Sequence, residues 1–290
     1  MTTSMKTATS IKEQIEILKG RGMTIEDEEK AKDVLLDIGY YRLGFYWFPF
    51  EETYPNKTAR DHHFIEGASF RQAVDLYYLD CEMRNILAPF LYRIEVNVRT
   101  VLIYTASNYY KSHPTWFADQ RIVNQSFVQS LPKNYETIRK NAAIMHHHQK
   151  YPNDIYAPAW KTLEYMTLGD IITLIHNIKE DSLKKKIAEH YGLRNMNVFF
   201  SYMNTVRTIR NLCAHGHNIF DLNLQKSIKA GPLSREITAD MHHNLCGVLL
   251  VVFFLLHHIS DNRKDELKRK LTNLLESTDL KQFDYIKAIL

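Results

Sequence analysis

Arg207, Asn211 and His215 stand four residues apart near the end of an apolar-periodic stretch, where the chain reads RNLCAHGHNIF from Arg210 to Phe220. On a helix that spacing puts the three in one stripe. Arg210 lies about 140° from His215 on an ideal helix. The two meet only if the last turn opens or if two copies of the chain face each other, and Gly216 is suited to opening that turn. A neutral imidazole, with an ordinary pKa of about 6.5, can take a proton near neutral pH. A guanidinium brings fixed charge and a fork that fits two phosphate oxygens. An amide can steady either group by neutral hydrogen bonds. Such a set suits RNA cleavage, because the 2′-OH beside each phosphate is a built-in nucleophile and no metal is required. The ends left would be a 2′,3′-cyclic phosphate and a 5′-OH, and DNA, which lacks the 2′-OH, would be untouched. The plainer alternative is a helix end whose polar groups face water, and R-x-x-x-x-H is too short a pattern to choose between them.

The elements that must position these groups read as helices. Gly (10) and Pro (8) are scarce in 290 residues, and apolar residues recur at three- and four-residue steps with no strand alternation of any length. An all-α fold is expected. Ile11, Ile15 and Leu18 begin a first helix broken by Gly20 and Gly22. Thr24 is placed as N-cap of a second, with Asp27 at its third position and Gly39 at its end. A long helix is expected from about Ser69 to Tyr110, with a kink or break at Pro89. On it Glu95 and Arg99 are four apart, Glu first, the favourable order for a pair, and a surface salt bridge is their simplest reading. Further helices are expected over Trp160–Ile178, Ser182–Tyr191 and Asn195–Ala214, then from a Ser234 cap to about Ile259, and over Asn262–Glu276. Residues 1–10 are expected to be a disordered tail, 11–66 an N-terminal helical and aromatic segment, 67–260 a helical bundle with an insertion at about 111–159, and 261–290 C-terminal helices.

Composition narrows the function classes. The formal net charge of +4 is too mild to announce nucleic-acid binding, so basic residues would have to gather on one face. Lys184–Lys186 and the run Arg263, Lys264, Lys268, Arg269, Lys270 read most simply as solvated faces. Cys81, Cys213 and Cys246 form no C-x-x-C and suit free thiols in a reducing compartment. The apolar run VLLVVFFLL at residues 248–256 is shorter than the roughly 20 residues a membrane span needs. The start of the chain lacks the apolar core of a signal peptide. A soluble, cytoplasmic protein with no membrane partner is expected. YYRLGFYWFPF, residues 40–50, packs seven aromatics into eleven residues. It reads either as a base-stacking platform or, preferred here because of Leu43 and Pro49, as an aromatic plug docking the N-terminal helices onto the main bundle. His146, His147 and His148 are adjacent, so on a helix they fan apart by about 100° each and cannot converge on one ion without other ligands. No metal site and no cofactor are expected. The phosphate-loop, dinucleotide, zinc-protease and nucleophile-elbow signatures are all missing from the sequence.

RNLCAHGHNIF resembles the R-N-x-x-x-H form of the HEPN signature of higher-eukaryote and prokaryote nucleotide-binding domains. More of the chain resembles the abortive-infection family of the AbiD/AbiF type. RGMTIEDEEKAKDVLLDIGYYRLGFYWFPF, LYRIEVNVRTVL, APAWKTLEYMTLGDI and RNLCAHGHNIF are its landmarks, in the family's order, over roughly residues 11–260. The resemblance implies a HEPN-like helical bundle with an N-terminal extension, a part in defence against phage, and metal-independent endoribonuclease activity at a site built from two facing motifs. With one motif per chain, a homodimer would be required. Arg210, Asn211 and His215 match the signature positions and are the implied catalytic residues. Glu95 and Arg99 match an earlier core helix where some relatives keep polar residues near the site. With Arg207 and His217 they are the candidate RNA-binding residues. His217 stands where the family often shows a further basic residue.

Two rival readings share this fold. One is a non-catalytic HEPN module that holds RNA or nucleotide and acts through a partner. The other is a toxin of a toxin–antitoxin pair, silenced by a protein or a small structured RNA.

Overall fold

The computed structural model describes residues 7–290, so the first six residues of the expected tail lie outside the described residues. Among the described residues the fold is all-α, with only isolated bridges in place of strands. It comprises two compact units: one from the residues up to Met83 with Leu274–Tyr285, the other from Arg84–Asn273 with Ile286–Leu290. The division between these units falls inside the long helix.

The first unit holds α1 (Ile11–Gly20), α2 (Glu28–Asp37), α3 (Tyr40–Leu43) and the beginning of α4 (Phe70–Tyr109). Helix α1 starts with a capping box between Ser10 and Glu13, which satisfies two otherwise orphaned N–H groups. The cap of α2 is Asp27, which accepts from Lys30 N–H at 3.0 Å, and not Thr24. Thr24 is drawn instead into a bridge with Ser69, its N–H donating to Ala68 and its carbonyl accepting from Phe70. Most of the aromatic run is buried within this unit. Tyr46, Trp47, Phe48 and Phe50 are buried, and the Tyr46 hydroxyl donates to the buried Asp80 carboxylate on α4 at 2.9 Å. Tyr41 and Phe45 remain exposed.

Helix α4 runs 40 residues without a break at Pro89. Proline removes one N–H donor there, but Leu87, Phe90 and Leu91 beside it are buried, and that packing holds the turn whose hydrogen bond is missing. Leu87, Leu91, Ile94, Val98, Leu102 and Ala106 continue one fully buried stripe, as the three- and four-residue steps predict.

The second unit adds α5 (Gln125–Ile138), α6 (Ala142–Lys150), α7 (Ala159–Thr162), α8 (Leu168–Asn177), α9 (Asp181–Glu189), α10 (Met196–Ala214), α11 (Leu245–Ile259) and α12 (Asp261–Glu276). Two expected helices are shorter than the periodicity suggests. Trp160–Ile178 is split into α7, a tight turn at Leu163–Tyr165 and α8, because Thr167 and Asp170 form a capping box that starts a new helix. The stretch after Ser234 turns twice before α11, whose cap is Asn244 accepting from Gly247 N–H at 3.2 Å. Helix α11 is buried along nearly all its length. Helix α10 packs on α8, α9 and α11, so it sits in the middle of this unit with one face left over. No helix among the described residues is long and apolar enough to cross a membrane.

Candidate active site at the end of helix α10

Helix α10 buries Val198, Phe199, Tyr202, Met203, Val206 and Ile209. Its start is fixed by Asn195, which accepts from the N–H groups of Asn197 and Val198. Its end is fixed by Gly216. His215 is the last residue with near-helical backbone, and Gly216 takes φ 67°, a conformation that costs an L side chain about 1–2 kcal/mol. The N–H of His217 reaches the Leu212 carbonyl at 3.0 Å, and that of Gly216 reaches Cys213 at 3.4 Å. This is the paired closure of a Schellman motif. The last turn does not open before His215, whose own N–H still donates to the Asn211 carbonyl at 3.0 Å. The reversal comes one residue later and leaves the His215 side chain at the rim.

A cleft of about 580 Å³ lies along this rim, between the end of α10 and the first turn of α8. Arg207, Arg210, Asn211, His215 and His217 all line it. Arg210 reaches the cleft although its position on the helix is far from that of His215, and it does so with the last turn intact. Asn211, His215 and His217 are exposed, and Arg207 and Arg210 half-buried. The His215 imidazole makes no hydrogen bond to any described residue, so both ring nitrogens are available to a ligand.

Glu95 and Arg99 lie behind this surface, both buried. They form a network and not the surface salt bridge that their spacing suggests. Glu95 Oε1 accepts from Arg99 Nη2 at 3.2 Å, and Glu95 Oε2 accepts from Arg210 Nε at 3.1 Å. Arg99 Nη2 also donates to the Met166 carbonyl at 3.0 Å. One buried carboxylate thus ties the side chain of Arg210 to α4, and Arg99 ties α4 to the turn before α8. Arg210 Nη1 makes one long contact with Asn211 Oδ1, 3.4 Å. A charge-assisted bond on Nε holds the guanidinium in place while its outer nitrogens keep donors to spare.

Sequence reasoning overlooked the other wall of the cleft, Thr167, Leu168 and Gly169. The readable signal was T-L-G-D, a capping box that marks a helix start. The three adjacent histidines go elsewhere. His146 is exposed; His147 Nε2 sits 2.9 Å from Asp154 Oδ2; His148 Nε2 sits 2.8 Å from the Tyr135 hydroxyl. Among the described residues no three His, Cys, Asp or Glu side chains are grouped to hold a metal ion.

An all-α bundle with a basic, imidazole-bearing cleft at the mouth of a central helix defines the class. The chain belongs to the Abi-like family of abortive-infection proteins: the family described as "Abi-like protein" matches residues 33–221, more than half of the sequence. The match contains Glu95, Arg99 and every one of the α10 residues at the cleft. No curated protein and no solved structure matches the chain.

Proposed function

We propose that this Abi-like protein is a HEPN-type, metal-independent endoribonuclease of a phage-defence system, with its active site in the α10 cleft. The observation that carries the reading is the meeting of Arg207, Arg210, Asn211 and an exposed His215 on one open cleft. His215 takes the proton from a ribose 2′-OH. The freed oxygen forms a bond to the adjacent phosphorus, the bond from phosphorus to the 5′ oxygen breaks, and that oxygen leaves with a proton from water or from a second imidazolium. Arg210, held at its Nε by Glu95, presents its outer N–H groups to the phosphate oxygens as charge builds on them. Asn211 steadies the same site by neutral hydrogen bonds. General-base action of this kind contributes about 10²–10⁴-fold. The rims of two chains facing each other would supply the second imidazolium, so the active species in this reading is a homodimer. Control by an antitoxin, protein or RNA, is compatible with a site this exposed.

The test is incubation of purified protein with end-labelled single-stranded RNA in EDTA, wild type beside His215→Ala. Cutting by wild type alone, with 2′,3′-cyclic phosphate ends, is the expected result. Equal cutting by both proteins removes His215 from the mechanism. Loss of cutting in EDTA points to a metal. RNA bound but never cut, by a protein whose mass is that of a dimer, favours the non-catalytic module.

A further inference from the structure

Besides the buried Arg84, whose Nη1 donates to the His217 carbonyl at 3.2 Å, three arginines stand at or behind the cleft, and they are not equivalent. Arg99 is buried and bonded to Glu95 and to the Met166 carbonyl. Arg210 is bonded to Glu95 through Nε. Arg207 has neither a carboxylate within ion-pair distance nor a side-chain hydrogen bond among the described residues, although it is half-buried. It is held by packing instead. Its stem lies on the first turn of α8 at Gly169, where an added Cβ would sit 3.5 Å from Arg207 Cδ and 3.7 Å from Nη1. The wall has no side chain at the point where the arginine rests on it. A half-buried cation without a counter-charge gains more from an incoming anion than one already neutralised.

Position decides what Arg207 can hold. It precedes His215 by eight residues, about 12 Å of helix rise. Arg210 precedes it by five, about 7.5 Å, so the backbone of Arg207 stands farther along the axis from the imidazole than that of Arg210. The start of α8 is not itself the anion site, because the Asp170 carboxylate occupies its cap. The cationic group on that side of the cleft is the guanidinium of Arg207.

We propose that Arg207 grips a second phosphate of the same RNA strand, away from the bond that is cut, so that the cleft selects strands with at least two phosphodiesters. This rests on the ribonuclease reading and assigns Arg207 a binding task separate from that of Arg210. It makes Arg207 a specificity residue and not a member of the reacting set.

The experiment has a binding arm and a cutting arm, each with a dinucleotide and a hexanucleotide. In the binding arm both RNAs are fully 2′-O-methylated, so neither can be cut, and affinity is measured against salt. Removing one phosphate contact to a single strand lowers the slope of log K on log salt by about 0.7. Arg207→Gln keeps much of the stem on Gly169 and is expected to lose that increment on the hexanucleotide, whereas Arg207→Lys keeps it. Arg235→Ala, an exposed cation outside the cleft, is expected to keep the wild-type slope. In the cutting arm the ratio of hexanucleotide to dinucleotide cutting is read, and Arg207→Gln is expected to lose the wild-type preference for the longer RNA. A wild-type slope and a wild-type length preference in Arg207→Gln overturn the proposal. If His215→Ala cuts as fast as wild type while the Arg207→Gln slope still falls, the ribonuclease reading fails and the phosphate contact stands. If Arg207→Gln lowers the melting temperature and Arg207→Lys does not restore the slope, Arg207 is structural and the proposal is wrong.

Discussion

Two regions of the second unit gather histidines, and they do opposite things with them. Around α5 and α6, His147 meets Asp154, His148 meets the Tyr135 hydroxyl, and that hydroxyl in turn accepts the Ala157 N–H at 2.7 Å. His147, His148 and Tyr135 are buried and Asp154 is exposed, and these groups spend hydrogen bonds on one another, with His148 Nδ1 left unpaired among the described residues. At the end of α10, His215 and His217 are exposed on a cleft with two arginines, and the His215 ring has no hydrogen-bond partner among the described residues. Buried polar groups that satisfy each other hold a fold together. Polar groups converging on an open cleft with donors and acceptors unspent are what a ligand needs. Count and adjacency would have chosen the triple histidine as the functional site, whereas bonding state chooses the single one.

The sharpest way to break this contrast is to remove one histidine from each region. His215→Ala is expected to slow RNA cutting by about 10²–10⁴-fold with an unchanged melting temperature, since the residue is exposed. His147→Ala is expected to lower the melting temperature and leave the rate of the folded fraction alone. Exchange of the two outcomes would mean that the α6 cluster is the working site. Cutting rates normalised to folded protein, beside thermal melts, separate the cases.

The Glu95 network lies between these extremes, because it is buried like the first region but serves the second. Glu95→Ala takes from the buried Arg99 its hydrogen-bonded carboxylate and leaves it only the exposed Glu164 at 3.9 Å, a change that costs up to about 3–5 kcal/mol, and it releases Arg210. Both the denaturation midpoint and the cutting rate should fall. Glu95→Gln keeps acceptor and shape and should lose less stability than Glu95→Ala while still loosening Arg210. A Glu95→Ala protein with wild-type midpoint would show that the carboxylate is not the group holding these arginines.

How much of this was legible beforehand depends on the range of the interaction. The stripe Arg207–Asn211–His215 and the Gly216 stop are local, set by helix pitch and by one residue's backbone freedom, and both are found where the spacing put them. The pairing of Glu95 with Arg99 was also local and is present. Its burial was not readable, because burial of α4 at Glu95 depends on Met166 and on Arg210, the latter 115 residues away. The misplaced caps have the same origin. Thr24 and Ser234 are chemically fit to start helices, but Thr24 is claimed by Ser69, and the chain after Ser234 turns twice before Asn244 begins α11. Side-chain type proposes a cap, and tertiary partners decide which candidate is used.

A smaller effect tests whether the α5–α6 cluster is as satisfied as it looks. Tyr135→Phe removes the hydroxyl that accepts from Ala157 N–H and bonds His148. A buried donor left unpaired costs about 1–3 kcal/mol. The denaturation midpoint should drop accordingly, with no change in cutting. A neutral result would mean that water reaches Ala157 in solution, and the contrast between a closed cluster and an open cleft would weaken.

The smallest expected effect is on pH dependence. Burial, helped by the positive charge of Arg139 and His147, holds His148 below the ordinary histidine value of 6.5. The unfolded chain then takes up that proton more readily than the folded one as pH falls below about 6.5, and stability rises with pH wherever the unfolded state binds more protons. The contribution is therefore fully present above pH 6.5 and is lost on acidification down to the folded-state value. His190 is depressed in the same direction, first by burial and then by His258, so removing one of the two takes away only part of the slope. His148→Gln should melt with a smaller difference between pH 7.5 and pH 5.5 than wild type, and His215→Ala should keep the wild-type difference. If His215→Ala flattened the acid limb instead, the exposed imidazole would be coupled to folding, and the division between a histidine that stabilises and a histidine that reacts would fail at its clearest point.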